Sequence, residues 1–402
     1  MKRDAIAVFS VSCVSHFFWA IRGIRVRTGD ALSASIIPFK DTGDSGTYIA
    51  FARNLRFHHV FSFAQGSEPL APTSFRAPGY PMMIAALGAN VYAVVIFQAV
   101  LVTLTSLLTY LIAKPFGRRV ALIAGIAMAL APMSGAWTGE IMTETLYTFL
   151  VTLAIYLWSG KKYAGSGFAF GLSWLVRSTT MPFVLILLVI GFLARSQRPM
   201  LKIALVAMLT VAPWTVRNAV VFHRFIPVAD GEGKESLLMG TFYIAYHQDV
   251  YKQWHQISAQ TGLVWNRDTD QMVSLAIERV KADPLHWLVI RLKQYPRFFI
   301  DLGSYLYPSS RILTFMIKIG FLMGNILLFA LASVGLYLKR SVLPLTLFPI
   351  YLTVSHFPIW VEPRFSLPMV PVIIILAVSA GVILMERRQV KNAGQPNIFI
   401  LV

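Results

Sequence analysis

Charged residues are scarce in this sequence, and acidic residues are the scarcer kind. Charged side chains make up 13% of the 402 residues and hydrophobic ones 56%, against about 25% and about 45–50% in soluble domains. So much apolar surface excludes a soluble globule, and an aromatic share of 13% excludes a disordered chain. The composition predicts an all-α protein that crosses a membrane several times.

Cysteine is nearly absent as well. The single Cys13 excludes an intrachain disulfide framework and a cysteine metal site. The lack of an Asn-x-Ser/Thr sequon favours a prokaryotic chain.

Several catalytic motifs are also absent from the sequence: it has no Gly-rich phosphate loop, no Walker motif, no Ser nucleophile elbow and no paired-His spacing of a zinc enzyme. The sequence therefore gives no support to an enzyme that acts on nucleotides. We interpret the adjacent His58 and His59 as surface polar residues. No internal repeat is visible, which weakens repeat-built transporter folds.

Ten apolar segments are long enough, or nearly long enough, to span a bilayer. They cover about residues 5–21, 91–113, 120–137, 143–159, 163–177, 180–194, 200–216, 315–338, 342–360 and 365–385. Several are shorter than the roughly 20 residues of a perpendicular span, so we expect about nine to eleven transmembrane helices, with ten the central value. We interpret the first as an uncleaved helix, because no small-residue cleavage site follows it.

The basic residues predict the orientation of these helices. Clusters of Lys and Arg fall in alternate short gaps, and short basic loops lie in the cytoplasm. The clusters are Lys2/Arg3, Lys114/Arg118/Arg119, Lys161/Lys162, Arg195/Arg198/Lys202, Lys339/Arg340 and Arg387/Arg388/Lys391. Arg22, Arg25 and Arg27 depart from the pattern. We predict a multi-pass protein of the bacterial inner membrane with both termini cytoplasmic. The net charge of +18 then reflects topology and does not indicate a nucleic-acid partner.

This orientation divides the chain into three parts. Residues 1–216 form an N-terminal transmembrane module, whose first outer loop covers 22–80. Residues 217–312 form a helical outer (periplasmic) loop region, and 313–402 hold the last transmembrane helices and a cytoplasmic tail. After Asp44, apolar residues recur at helical spacing, which predicts an amphipathic helix at the outer membrane surface. Apart from Asp4 and Glu386, all the acidic residues fall on the outer side.

Carboxylates in two places are candidates for chemistry. Asp41 and Asp44 precede the predicted amphipathic helix; Asp44 is an N-cap, a proton acceptor, or both. Glu140 and Glu144 lie four residues apart, which places both on one helix face if the helix begins by Gly139. They form either a solvated helix end or a polar patch facing the same cavity as Asp44.

Arginines occupy the outer ends of four apolar segments: Arg76, Arg177, Arg217 and Arg364. An arginine near a membrane must snorkel or pair, and its planar fork suits phosphate. Each of the four is therefore either a snorkelling anchor or a ligand for a shared anion. Because these four arginines lie on the same side of the membrane as the carboxylates, we favour the shared anion.

Six short motifs then occur in an order that resembles the GT-C membrane glycosyltransferases, in particular the family 39 and aminoarabinose-transferase-like group that includes protein O-mannosyltransferases. The motifs are Asp44-x-x-x-Tyr48, Arg76-x-Pro78-Gly79-Tyr80-Pro81, Glu140-x-x-x-Glu144, Trp174-Leu-x-Arg177, Pro213-Trp214-x-x-Arg217-Asn218 and Arg364-Phe-x-x-Pro368-x-x-Pro371. The resemblance runs from about residue 40 to residue 370. It implies a GT-C-type bundle of about ten transmembrane helices, with amphipathic helices on its outer face.

The resemblance also implies an activity. Such enzymes transfer a monosaccharide, with inversion, from a polyprenyl-phosphate carrier to a lipid, glycan or protein acceptor at the outer face. It implies Asp44 as the catalytic base, with Asp41 as a second candidate. Substrate contacts would come from Tyr48, Arg76, Glu140, Glu144, Arg177, Arg217 and Arg364, with the donor phosphate on Arg217 or Arg364. The sequence leaves open whether a divalent metal takes part. The alternative is a transporter or flippase of lipid-linked sugars, which would need the arginines but not the carboxylate.

Overall fold

The computed structural model describes residues 2–28, 44–66, 68–193, 195, 197–243, 247–264, 268–299, 311–338 and 343–392, and throughout these ranges every regular element is a helix. The helices are α1 Lys2–Thr28, α2 Asp44–His58, α3 Gly79–Ala86, α4 Val91–Ala113, α5 Arg118–Ala129, α6 Pro132–Thr138, α7 Glu144–Ser159, α8 Tyr163–Val176, α9 Met181–Leu193, α10 Gln197–Phe222, α11 Glu232–Met239, α12 His247–Thr261, α13 Thr269–Ala282, α14 Pro284–Gln294, α15 Arg311–Leu338, α16 Leu343–Ser355 and α17 Val370–Asn392. Short 3-10 turns cover Lys114–Phe116, Ser178–Thr180, Tyr295–Phe298 and Pro363–Met369.

Each of the ten predicted apolar segments overlaps a helix, and the segment 91–113 coincides with α4. Four of the helical stretches described are long and apolar enough to cross a membrane, and a fifth span results if α5 and α6, bent by 44°, count as one. Three shorter apolar helices, among them Pro344–Ser355, fall below that length. The multi-pass, all-helical class is therefore confirmed, whereas the count of ten spans stays a prediction.

The bundle is built around α4, which packs against α1, α5 and α7. Helix α7 pairs with α8, α8 packs on α10, and α17 lies against α15 and α5. One continuous apolar cluster runs through these helices, with Trp174 and Phe183 among its fully buried side chains. This single core fixes the positions of the helix ends relative to one another, and the site is built at such ends.

Helices α11, α12 and α13 share a second, smaller core. Leu238 and Met239 of α11 lie against Trp254 of α12 and Met272 of α13. Trp360 is half-buried and packs on both clusters. The stretch that leads into Arg364 therefore lies between the bundle and the small helices.

Helix α2 forms where it was predicted, but its buried residues include Ile49 and Asn54 as well as Tyr48, Phe51 and Ala52, so burial is not confined to one apolar face. At one end of the bundle Asp4 of α1 accepts two hydrogen bonds from Arg118, each 2.8 Å long. The start of α1 and the loop before α5 are thus at the same end, as the alternation of basic loops predicts.

Candidate functional site

Asp44 lies between two arginines that come from distant parts of the chain. Its Oδ1 accepts a hydrogen bond from Arg76 Nη2 at 2.5 Å, and its Oδ2 accepts one from Arg364 Nη2 at 3.3 Å. The Asp44 side chain is 36% exposed, whereas the two arginine side chains are each 8% exposed. The carboxylate is therefore the accessible member of the group, and the cations are its buried partners.

Tyr48 lies one turn after Asp44 on α2 and faces the same arginine. The Arg76 Nη1 donates to the Tyr48 hydroxyl at 2.9 Å, and that hydroxyl donates to Glu232 Oε1 at 3.2 Å. Arg76 also forms an ion pair with Glu232. Arg76 is thus held by two carboxylates and a phenol, which fixes the direction of its guanidinium group.

Two glycines explain why Arg76 is held at this place. A Cβ on Gly79 would lie 2.8 Å from the carbonyl oxygen of Leu175, so only glycine lets the start of α3 approach the end of α8. A Cβ on Gly231 would overlap the ring of Phe75, so the start of α11 also requires glycine. These approaches bring Glu232 beside Arg76.

Helices α7 and α8 form an antiparallel hairpin that brings Glu144 and Arg177 together. Glu144 begins α7 and Arg177 follows the last residue of α8. Arg177 Nη1 donates to Glu144 Oε1 at 2.9 Å, and the Glu144 side chain is only 3% exposed. Lys161 and Lys162 turn the chain at the far end of this hairpin, away from the site.

Arg364 joins the two halves of the cluster. Its Nε lies 3.6 Å from Glu144 Oε1 and forms a shorter ion pair with Glu362, while its Nη2 reaches Asp44. The ring of Phe365 lies under the guanidinium groups of both Arg177 and Arg364, at 4.8 and 5.3 Å. Three arginines and four carboxylates thereby form one charged cluster at one end of the bundle: Arg76, Arg177, Arg364, Asp44, Glu144, Glu232 and Glu362.

The pKa values of two carboxyl groups of this region shift in opposite directions. Burial by itself would raise the pKa of Asp44, but the positive charges of Arg76 and Arg364 outweigh it and hold that pKa well below its usual range. Burial raises the pKa of Glu235 well above its usual range; Arg76 opposes the change, and the charges of Asp44 and Glu232 add to it. The surroundings therefore favour the ionised form of Asp44 and the neutral form of Glu235.

Not all the predicted residues join the cluster. Arg217 Nη1 donates to Asn218 Oδ1 at 2.9 Å and to the Thr73 carbonyl oxygen at 3.4 Å. Its guanidinium group lies over the rings of Trp214 and Phe222, at 4.7 and 5.1 Å. Arg217 therefore contacts aromatic rings and nearby polar groups, and the two hypotheses for it, a snorkelling anchor and a ligand for a shared anion, both stay predictions. Asp41 lies outside the described residues.

The shared helix face predicted for Glu140 and Glu144 is wrong. Helix α6 ends at Thr138 and α7 begins at Glu144, so Glu140 lies in the turn between them. The turn is held by Gln98, whose Nε2 donates to the carbonyl oxygens of Thr138 and Glu140, at 2.9 and 2.8 Å. Glu140 is half-buried there, and only Glu144 begins the helix.

Three carboxylates of the region were not singled out from the sequence: Glu232, Glu235 and Glu362. A signal exists for two of them, because Asp230-Gly-Glu232-Gly-Lys-Glu235 is an acidic, glycine-rich run. Glu362 precedes Pro363 and Arg364, where it could have been read as part of that motif.

In the described part of the chain, no group of three or more His, Cys, Asp or Glu side chains is arranged to hold a metal ion. The exposed His58 and His59 agree with their surface interpretation.

Fold and site define a class: a multi-pass helical membrane protein with a cluster of arginines and carboxylates at one end of its bundle. Residues 80–216 match the family described as dolichyl-phosphate-mannose-protein mannosyltransferase. The matched family is part of the GT-C superfamily, and the match confirms the resemblance seen in the sequence. The match includes Glu144 and Arg177 and excludes Asp44 and Arg364. No curated protein matches the chain. The match supports a membrane glycosyltransferase of the GT-C kind.

Proposed function

We propose that this protein is an inverting glycosyltransferase that uses a polyprenyl-phosphate-linked monosaccharide as donor. Its acceptor is a hydroxyl group of a membrane lipid, an envelope glycan or a protein, at the outer face of the inner membrane. The observation that carries the proposal is the contact of Asp44 with Arg76 and Arg364. It places a partly exposed carboxylate beside two guanidinium groups that are buried and held in place.

The reaction assigns a role to each kind of group. The acceptor oxygen attacks the anomeric carbon and passes its proton to the Asp44 carboxylate. The bond between that carbon and the phosphate oxygen breaks, and the phosphate leaves with the electron pair. Arg364 and Arg177 stabilise the charge that grows on the leaving phosphate. Attack from the face opposite the phosphate inverts the configuration.

The low pKa of Asp44 bears on this mechanism, because a carboxylate paired with two arginines is a weak base. We propose that the donor phosphate takes over the hydrogen bond of Arg364, which is the longer of the two to Asp44. Loss of one cationic partner then raises the basicity of Asp44 when the donor is bound. Donor binding and base activation are coupled in this way.

The variant Asp44→Asn tests the proposal. Purified protein in nanodiscs is supplied with synthetic polyprenyl-phosphate pentoses and hexoses and with envelope lipids and glycans as acceptors, and release of free polyprenyl phosphate is measured. General-base assistance contributes about 10²–10⁴-fold, so transfer should fall by that factor. Asparagine keeps the size of the side chain and loses about 0.3–1 kcal/mol of helix-dipole stabilisation. Arg76 and Arg364 keep their ion pairs with Glu232 and Glu362, so the protein should remain folded.

Asp283→Asn is the matched control, since Asp283 caps the start of α14 and accepts from His286 N at 2.9 Å. That variant should transfer like the wild type. Near-wild-type transfer by Asp44→Asn would remove Asp44 as the base. Wild-type protein that moves lipid-linked sugar across vesicle membranes, and releases no polyprenyl phosphate with any donor, would favour the transporter.

A further inference from the structure

Helix α14 presents a stripe of apolar residues outward, and its buried face includes polar side chains. Four residues spaced i, i+3, i+4 and i+7 are 38–74% exposed: Leu285, Leu288, Val289 and Leu292. On the opposite face, Ile290, Arg291 and Gln294 are buried. A surface helix in water presents polar residues outward. The outward face of α14 therefore needs an apolar cover.

The position of α14 indicates what that cover is. Arg291 donates to the carbonyl oxygens of Phe357 and Ile359, at 2.7 and 2.5 Å. Just after α14, Tyr295 donates to the carbonyl oxygen of Thr353. These acceptors lie in the last turn of α16, one of the shorter apolar helices, and directly after it. The contacts hold α14 against the end of an apolar helix of the bundle.

The length and charge of α14 agree with that position. Its 11 residues extend about 16 Å, which is too short to cross a bilayer of about 30 Å. Exposed Lys293 lies in its last turn, exposed Lys281 lies in the last turn of α13 just before it, and Arg297 follows it. Basic residues beside an apolar helix face complement anionic lipid headgroups.

We infer that α14 is an interfacial helix, which lies along the membrane surface with Leu285, Leu288, Val289 and Leu292 in the lipid. The inference does not depend on the proposed enzymatic function. It does connect to the site, because Arg291 on the inner face of α14 holds the segment that leads to Arg364. A helix seated in lipid thus supports the chain from which one of the three site arginines extends.

Fluorescent labels on α14 test the inference. Leu288→Cys and Leu292→Cys, each in a Cys13→Ser background, are labelled with an environment-sensitive fluorophore in phosphatidylethanolamine/phosphatidylglycerol nanodiscs. We expect a blue-shifted emission, quenching by lipids spin-labelled near the headgroup, and little quenching by aqueous iodide. Ser274→Cys, on an exposed position of α13, is the matched control and should give the reverse.

Two results would overturn the inference. Labels at 288 and 292 that iodide quenches as well as the label at 274 would mean that α14 faces water. Labels protected from both quenchers would mean that a second copy or another protein covers the face. Since labelling changes the helix, unsubstituted protein is also irradiated with a photoreactive lipid. Adducts should form on the peptide 284–292 and not on 271–278, and an absence of adducts on 284–292 would count against the inference.

Discussion

Arg364 and Asp44 are 320 residues apart in the sequence, yet Arg364 Nη2 lies 3.3 Å from Asp44 Oδ2. Arg364 belongs to the 3-10 turn that leads into α17, and Asp44 begins α2. Residues from the first and last thirds of the chain therefore belong to the same charged cluster. Every prediction on the site depends on which charges meet there.

The first prediction separates Arg364 from Arg217. Arg364→Lys keeps the positive charge and loses the planar fork, so the Michaelis constant for the donor should rise by about tenfold or more, as expected for a charged hydrogen bond worth about 1.5–3 kcal/mol. Arg217→Lys should leave this constant near its wild-type value, because Arg217 packs on aromatic rings. Steady-state kinetics with varied donor measures both. An equal loss in Arg217→Lys would restore the sequence-based prediction that Arg217 contacts the phosphate.

The second prediction concerns Glu232, which partly neutralises Arg76. Glu232→Gln removes a negative charge beside the site. The donor phosphate should bind more tightly, while Asp44, with a less neutralised Arg76, should become a weaker base. The Michaelis constant for the donor and kcat should therefore fall together, each by up to about tenfold if one charged hydrogen bond is involved.

Glu235→Gln is the matched control for this second prediction, because Glu235 lies on the same helix and its raised pKa favours the neutral form that glutamine imitates. It should change both constants less than Glu232→Gln does. Weaker donor binding in Glu232→Gln would indicate instead that Glu232 is needed to hold Arg76 in place.

The third prediction is a pH dependence of stability from Glu235. Its pKa in the folded protein is raised above the unfolded value of about 4.3. Such a group stabilises the fold below the unfolded pKa, and this contribution is lost as the pH rises through the folded pKa. Glu235→Gln removes the effect, so its melting temperature relative to the wild type should be higher at about pH 8 than at about pH 4. A difference that does not change with pH would mean that Glu235 ionises normally.

The fourth prediction concerns orientation. Cysteines introduced at Gly233 and Gly160, one at a time in a Cys13→Ser background, lie at exposed positions at the site end and at the far end of the α7–α8 hairpin. In intact spheroplasts an impermeant thiol reagent should label position 233 and not position 160. Labelling of 160 alone would place the site in the cytoplasm and remove the proposed outer-face acceptor.

Much of the architecture follows from the sequence alone. Runs of apolar residues predicted each helical segment of the bundle, because a chain in lipid must satisfy its backbone hydrogen bonds within the helix. The start of α2 at Asp44 was also predictable, since the spacing of Tyr48, Phe51 and Ala52 indicates a helix. Arg76, Arg177 and Arg364 were found as costly charges near the membrane. These features are local, so the sequence determines them.

The partners of these residues were decided by the tertiary structure. Arg217 matches the other arginines in its sequence setting, yet the packing of α10 turns it onto aromatic rings. Glu140 lies outside α7 because Gln98 holds the turn before the helix. Glu232 meets Arg76 because Gly231 lets α11 approach Phe75 closely. Helical periodicity gives the face that a residue occupies, but the meeting of residues more than 100 positions apart depends on how the helices and loops pack.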